Sequence, residues 1–541
     1  MIFTDFRIKF EVYLCCLVGL SMFLMIFCPF FSKAQTLPLG ISENIEDSYR
    51  RSQLLGVDSS GFSYMIRPIL AKDAFKGKKT LAILPILLLQ QFNTHHPYGY
   101  NDGAMIPANG YQTLFSAGLF AKYGPLSIQL RPEFVFAENK DYRELHETNN
   151  GPGFQNAVVS YMNRIDLPTR FNKGAYTNLN MGQSSVRLTF NPVSIGISNE
   201  NLWWGPGMYN SLLMSNNAAG FKHITLNTSR PVKTGIGTFE AQLIGGRLEG
   251  SGVEQPEGEG FARKPKDWRY ISGIVLTYQP KWLTGLSLGL DRSFIIYRQD
   301  MSSGLADLIP VISSAFKKSF RNEEGTVNTE DLRNRDQNFS LFARWVMAES
   351  RSEVYVQYGR NDFAWDLRDA LVEPEHSRAY IAGYRKLIAL SRANEYIQVG
   401  IELTQMEGSN TGQVRDEPSW YLHSRIPAGY THKGQLIGAG IGTESNQQTL
   451  DLNWVKDLNR IGLRIEHLEH DYGLSRTVRG ERKSWTDLAF VGRYDRAYKD
   501  FVINSQLGYI RSNNYLYENK ENNPNNRVNN LHLQLGLLYN L

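Results

Sequence analysis

Cysteine is nearly missing from this chain. Three occur in 541 residues, Cys15, Cys16 and Cys28. All lie in residues 1–34, which read as a secretory signal: Arg7 and Lys9 come first, an apolar run follows over 12–31, and Ser32-Lys33-Ala34 supplies small residues for cleavage. The mature chain then has no thiol, which excludes disulfides, Cys-ligated zinc and thiol catalysis together. Beyond residue 34 there is also no run of apolar residues long enough for a membrane helix, and mean hydropathy is −0.35. Charge of one sign is lacking too: 58 basic residues face 53 acidic ones. No basic cluster with interleaved aromatics occurs, so nucleic acid is not a partner. No repeat of fixed period appears, which excludes propellers and solenoids.

What the chain does have is aromatics and glycine: 28 Tyr, 28 Phe, 9 Trp and 47 Gly. Residues 41–55 predict a short helix, with Ser42 as cap, Glu43, Glu46 and Asp47 early, Arg50 and Arg51 late, and Gly56 as stop. Ile45, Tyr49, Leu54 and Leu55 would form its apolar side. From about residue 80 the hydrophobic period becomes two and stays there. Leu126, Ile128 and Leu130 alternate with Ser127, Gln129 and Arg131; Ile461, Leu463 and Ile465 alternate with Gly462, Arg464 and Glu466. The C-terminal stretch places Leu531, Leu533, Leu535, Leu537 and Tyr539 opposite Asn530, His532, Gln534, Gly536 and Asn540. Alternation over hundreds of residues, aromatic richness and hydrophilic insertions at 250–268, 322–337 and 517–527 predict an all-β membrane fold. The expectation is a single large antiparallel transmembrane β-barrel of about 16–18 strands. Its parts would be a cleaved signal (1–34), a periplasmic helical or plug segment (35–78) and the barrel (79–541), in the cell outer membrane. Residues 303–320 predict an amphipathic helix in a loop or the lumen.

One stretch suits neither a core strand nor a solvated loop: 201–221, NLWWGPGMYNSLLMSNNAAGF. It closely resembles the signature of the Wzi family of outer-membrane capsule assembly proteins. Segments similar to the same family follow in order: IRPIL at 66–70, PYGYNDGAMIPANG at 97–110, LRPEFVFAEN at 130–139, EVYVQYGRND at 353–362, EPEHSRAYIAGY at 373–384, GYTHKGQLIGAGIG at 429–442 and SWTDL at 484–488. The resemblance implies a monomeric barrel of about 18 strands with a small periplasmic helical portion. It implies a lectin-like, non-enzymatic role in binding and organising capsular or exported polysaccharide. Outer-membrane lipid and the polysaccharide export machinery would be its other contacts. No cofactor and no catalytic residue are implied. The alternative is a porin or polysaccharide export channel.

Sugar recognition needs flat aromatic faces for pyranose C–H surfaces and planar polar groups for hydroxyls. Residues 359–369 offer Arg360, Asn361, Asp362, Trp365, Asp366 and Arg368; residues 416–423 offer Asp416, Glu417, Trp420, Tyr421 and His423. Trp268 and Arg269 form a third pair. The same groups also suit an interfacial girdle with solvated charges. For the double tryptophan a lumen scaffold is favoured: Trp203 and Trp204 anchor a segment turned by Gly205, Pro206 and Gly207, with Asn216 and Asn217 satisfying backbone groups. Metal binding is disfavoured. His95 and His96 point apart on a strand, Asp102 does not complete a set, and His467 and His470 need a turn to meet. His423, Ser424 and Asp451 could serve a rim hydrolase, but no spacing selects them. Strand charges such as Arg131, Glu133, Arg187, Arg344, Arg464 and Glu466 are expected to pair in the lumen.

Overall fold

The structure is a computed structural model that describes residues 36–37, 43–58, 60–70, 79–148, 150–302, 308–312, 334–361, 375–408, 419–478, 484–518 and 526–540. The signal, the loop residues Asp362, Trp365, Asp366 and Arg368, the pair Asp416 and Glu417, and most of 303–320 lie outside these residues. Of that last stretch, Pro310–Ile312 forms a 3-10 turn.

Alternating side chains explain the architecture. Each strand presents one row of apolar side chains outward and one polar row inward, and such a sheet can bury both faces only by closing on itself. The described residues form a closed antiparallel barrel of 18 strands. Closure joins the first strand, Lys79–Asn93, to the last, Arg527–Tyr539, from Ile86 opposite Tyr539 to Asn93 opposite His532. Pro85 sits where the first strand slips register between Leu84 and Leu87, which is how a residue without an amide hydrogen is accommodated in a sheet. Three wall strands are interrupted, as in Tyr176–Asn180 continued by Ser185–Phe190.

The outer face is apolar. Leu531, Leu533, Leu535, Leu507, Ile461 and Ile224 are exposed on it, while Asn530 and His532 point into the lumen and are buried. Stacked aromatics mark the end with short turns: Phe239 on Tyr278 at 4.8 Å and Phe501 on Tyr539 at 4.6 Å. This is the girdle of a membrane interface. Long connections emerge from the opposite end. Among the described residues no helix is long and apolar enough to cross a membrane; the chain crosses with strands.

Helix α1, Glu43–Leu54, enters the barrel from the short-turn end. It buries its charged side rather than an apolar one: Asn44, Asp47, Arg50 and Arg51 are buried with Leu54, while Tyr49 is exposed. The reason is the lumen wall, which supplies countercharges instead of hydrocarbon.

Candidate functional site

The lumen is filled from both ends. From the loop side, residues 199–221 leave the wall after Ser198 and return at Lys222. Trp203 and Trp204 pair as a two-residue strand with Arg67 and Ile66. Trp204 is fully buried and donates its indole N–H to Gln242 at 2.9 Å. The Arg67 guanidinium lies over the Trp203 ring at 4.4 Å. Gly205 has φ +112°, and a Cβ there would meet Gln357 Oε1 at 2.9 Å, so glycine is required at this turn. The turn presents its amides to one carboxylate: Glu402 accepts from Met208 N at 2.6 Å, Tyr209 N at 3.1 Å and Asn210 N at 2.9 Å, and from the Tyr355 hydroxyl at 2.8 Å. Asn216 donates to Asn101 O at 2.7 Å, and Asn217 to Leu436 O at 3.1 Å.

A second inward segment, 419–445, packs on the first. Tyr421 donates to Leu212 O and accepts from Ala439 N, both at 2.8 Å, and stacks on Tyr430 at 5.6 Å. Trp420 donates to Ser377 O at 3.0 Å. Trp420 and Tyr421, expected on a glycan surface, are 1% and 0% exposed, so that expectation is corrected: their faces are covered by core. An alternation of aromatic and polar residues looks the same in sequence whether it faces sugar or fills a polar lumen.

From the short-turn end, α1 is held by charge. Arg50 meets Glu353 at 3.1 Å and donates to Pro206 O at 2.7 Å, joining helix and inward turn. Glu353 also takes Arg385 at 3.1 Å and Arg344 through its Nε at 2.7 Å. Asp47 pairs with Arg51 and Arg385. Glu43 meets Arg460 at 3.3 Å and pairs with Arg493. Burial alone would raise the Glu43 carboxyl, but Arg493, Arg460 and Arg464 hold it down at about 2. Asp47 is driven lower against the same penalty by Arg385 and Arg51. Of the strand charges expected to pair, Arg344 joins Glu353, Arg187 meets Glu200 at 2.7 Å and Arg464 meets Glu466 at 3.2 Å, whereas Arg131 donates to Ser116 Oγ and Pro85 O and Glu133 accepts from Gln183.

Above this filled lumen, at the loop end, lies a cavity of about 310 Å³. Tyr98, Tyr142, Tyr161, Trp485, Tyr515 and Tyr517 supply its aromatic walls; His96, Arg143, His470, Asp471 and Asp487 supply polar edges. Trp485 stacks on His470 at 3.9 Å and donates to Asp487 at 3.0 Å, and His470 meets the same carboxylate at 2.7 Å. Burial and the neighbouring Glu444 push Asp471 up to about 7, and burial pulls His96 down to about 4. Tyr98, Tyr142, Tyr161 and Trp485 are half-buried, whereas Tyr515 and Tyr517 are buried and pack edge-on against the Trp485 ring. A half-buried ring fixed by a carboxylate is an arrangement that stacks on a sugar face and bonds its hydroxyls. Sequence reasoning singled out none of Tyr142, Tyr161, Tyr515 and Trp485 as sugar contacts, because they come from loops far apart in the chain.

Arg360 is half-buried at the loop end of Ser352–Asn361, and Asn361 is buried, donating to Ser419 O at 2.9 Å. Trp268 lies under Arg247, and Arg269 is buried, donating to Gly429 O at 2.6 Å. His423 Nδ1 accepts from Arg425 N and Ile426 N as a turn cap, while Asp451 is taken by Arg493 at 2.9 Å and Tyr209 at 2.7 Å, so the two do not form a dyad. His467 faces outward, and His95 contacts His96. Among the described residues no group of three His, Cys, Asp or Glu is poised for a metal.

A model of the family described as capsule assembly protein Wzi matches residues 100–527. Among solved structures, Wzi of Escherichia coli is similar at 11% identity and TM-score 0.61, covering 94% of this chain and 100% of that one. That protein is described as an outer-membrane protein involved in group 1 capsule assembly and a carbohydrate-binding β-barrel. Acinetobacter baumannii OccAB2 aligns at 10% identity and TM-score 0.41 over 84% of this chain and 97% of that one. Pseudomonas aeruginosa OpdQ aligns at 8% and 0.39 over 84% and 97%. No curated protein matches.

Proposed function

The chain belongs to the Wzi family of capsule assembly proteins, and from that premise we propose that it binds capsular or exported polysaccharide at the cell surface and holds it there. It acts without catalysing a reaction, as a monomer in the outer membrane beside the export machinery. The observation that carries this reading is the pairing of a filled lumen with an aromatic outer cavity. Among the described residues the lumen is filled from both ends, which suits a polymer gripped at the loop end rather than threaded along the barrel. Each aromatic face offered to a sugar contributes about 0.5–1.5 kcal/mol beyond its buried area.

Arg360, Asp362, Trp365, Asp366 and Arg368 are further glycan-binding residues in this proposal. Their mix of guanidinium, carboxylate and indole matches what acidic or neutral sugars need. The test is binding of the native capsular polysaccharide to detergent-solubilised protein. Trp485→Ala, and separately Trp365→Ala, should each weaken binding about three- to tenfold, the effect of one lost aromatic contact. Unchanged binding in both variants would place the glycan elsewhere.

A further inference from the structure

The barrel wall is not of even height. Strand Val193–Ser198 has 6 residues, against 12 in Gly237–Leu248, while the strand between them runs from Lys222 to Lys233 with a break after Thr228. A tilted strand needs about 9–11 residues to cross the hydrocarbon layer. Val193–Ser198 is complete at the turn end, where Val193 sits between Phe190 and Thr228. Its missing length is at the loop end, where the chain departs for the lumen after Ser198. Beside it Tyr176–Asn180 continues above Ser185 and pairs with Glu133–Ala137. Among the described residues no strand pairs with its other edge. A notch therefore opens in the outer-leaflet half of the wall. The hairpin of Thr431–His432 and Gln435–Leu436 reaches across it from inside: Lys433 donates its amide to Glu249 O at 2.8 Å and its ammonium to Asn180 Oδ1 at 2.7 Å.

Two features call for a polar, anionic occupant. An unpaired strand edge is strongly disfavoured against acyl chains, and Asn180 Nδ2 is buried at this edge without a partner. Basic side chains also gather at the lip. Lys222 and Arg247 are register partners, both exposed on the outer face. Lys222 and Glu249 are the charges that act on Lys433, and Glu249 meets Arg247 at 3.2 Å, so one acid stands against three cations. Trp268 lies beneath Arg247 at 5.2 Å, an aromatic at the height of a headgroup layer.

We propose that the notch seats the phosphorylated headgroup of an outer-leaflet lipid, its phosphate held by Lys222, Arg247 and Lys433 and its polar body covering the unpaired strand edge. The short wall brings headgroups inward at this point, since a bilayer thins to match a shorter apolar span. An uncharged headgroup would fill the same space and leave Glu249 as the counter-ion of all three cations. The proposal stands independently of glycan binding in the outer cavity.

The test is native mass spectrometry of the full chain titrated with bisphosphorylated lipid A, with phosphatidylcholine as the neutral comparison. Wild type should retain lipid A in preference. Lys222→Ser with Arg247→Ser should lower its apparent affinity about tenfold or more, as expected for two interfacial cations. Lys233→Ser with Lys281→Ser removes the same charge from exposed positions at the turn end and should bind as wild type. Heat-modifiable gel mobility verifies that each variant is a folded barrel. Equal loss in both double variants, no loss in the first, or displacement of lipid A by an equal concentration of inorganic phosphate would overturn the proposal.

Discussion

Single residues decide whether the inward turn closes. Gly207 has the Asn210 carbonyl against the position its Cβ would take, and Gly220 has that of Asn199. A side chain at either must push backbone, not the flexible end of a neighbour. Gly207→Ala should therefore destabilise the barrel by about 1–3 kcal/mol, the usual range for overpacking. The measurement is the urea midpoint of gel-mobility unfolding. The same change at Gly235, where a Cβ meets open space, serves as the neutral comparison. Glu402 shows why such a turn recurs as a recognisable string: three consecutive amides converge on it, and only a tight Gly-Pro-Gly bend aims them together. That string was legible in the sequence. Its acceptor was not, because Glu402 lies about two hundred residues away in an ordinary alternating strand.

At the scale of elements, α1 is an electrostatic plug. Glu43 is held at about 2 in the folded protein against an ordinary 4.5. A depressed carboxyl contributes stability that is full above its unfolded value and vanishes as pH falls through the folded one. The docked helix should accordingly persist to about pH 4.5 and loosen between there and about pH 2. Hydrogen exchange over residues 43–54, corrected for intrinsic rates, would record this. Asp47→Ala leaves Arg51 buried without its carboxylate and Arg385 with Glu353 alone, and should weaken docking at neutral pH by about 3–5 kcal/mol. Trypsin cleavage after Arg50 and Arg51, both shielded in the docked helix, would report it. The helix itself was readable from its cap, its charge gradient and its stop. The side it buries was not: Ile45 and Tyr49 suggested an apolar face, and only the arginines of the opposing wall reverse that choice. The wall strands were readable because lipid enforces a strict period of two. The notch was hidden, since six residues of good alternation in Val193–Ser198 look like any strand until its neighbours are aligned.

For the molecule as a whole, a barrel of this size would conduct if it were empty. Here the inward segments and α1 meet mid-lumen, where Arg50 touches Pro206 and Arg67 spans Glu46 and the Gly207 carbonyl. A cavity of about 190 Å³ remains beside them, lined by Glu43, Arg67, Tyr100 and Arg464. The protein should give a silent trace in a planar bilayer, and steady open conductance would instead favour a channel. Removing residues 43–65 should leave the loop-side filling in place and the bilayer still silent.

The docking of α1 also has a consequence in time. Glu43 needs Arg460 and Arg493, Asp47 needs Arg385, and Arg50 needs Glu353. These partners belong to the second half of the chain, so the segment that leaves the secretion machinery first is the last to find its place. Contacts of such sequence separation form slowly. The N-terminal helix thus works as a completion signal, locking only onto a barrel whose later strands are already in register.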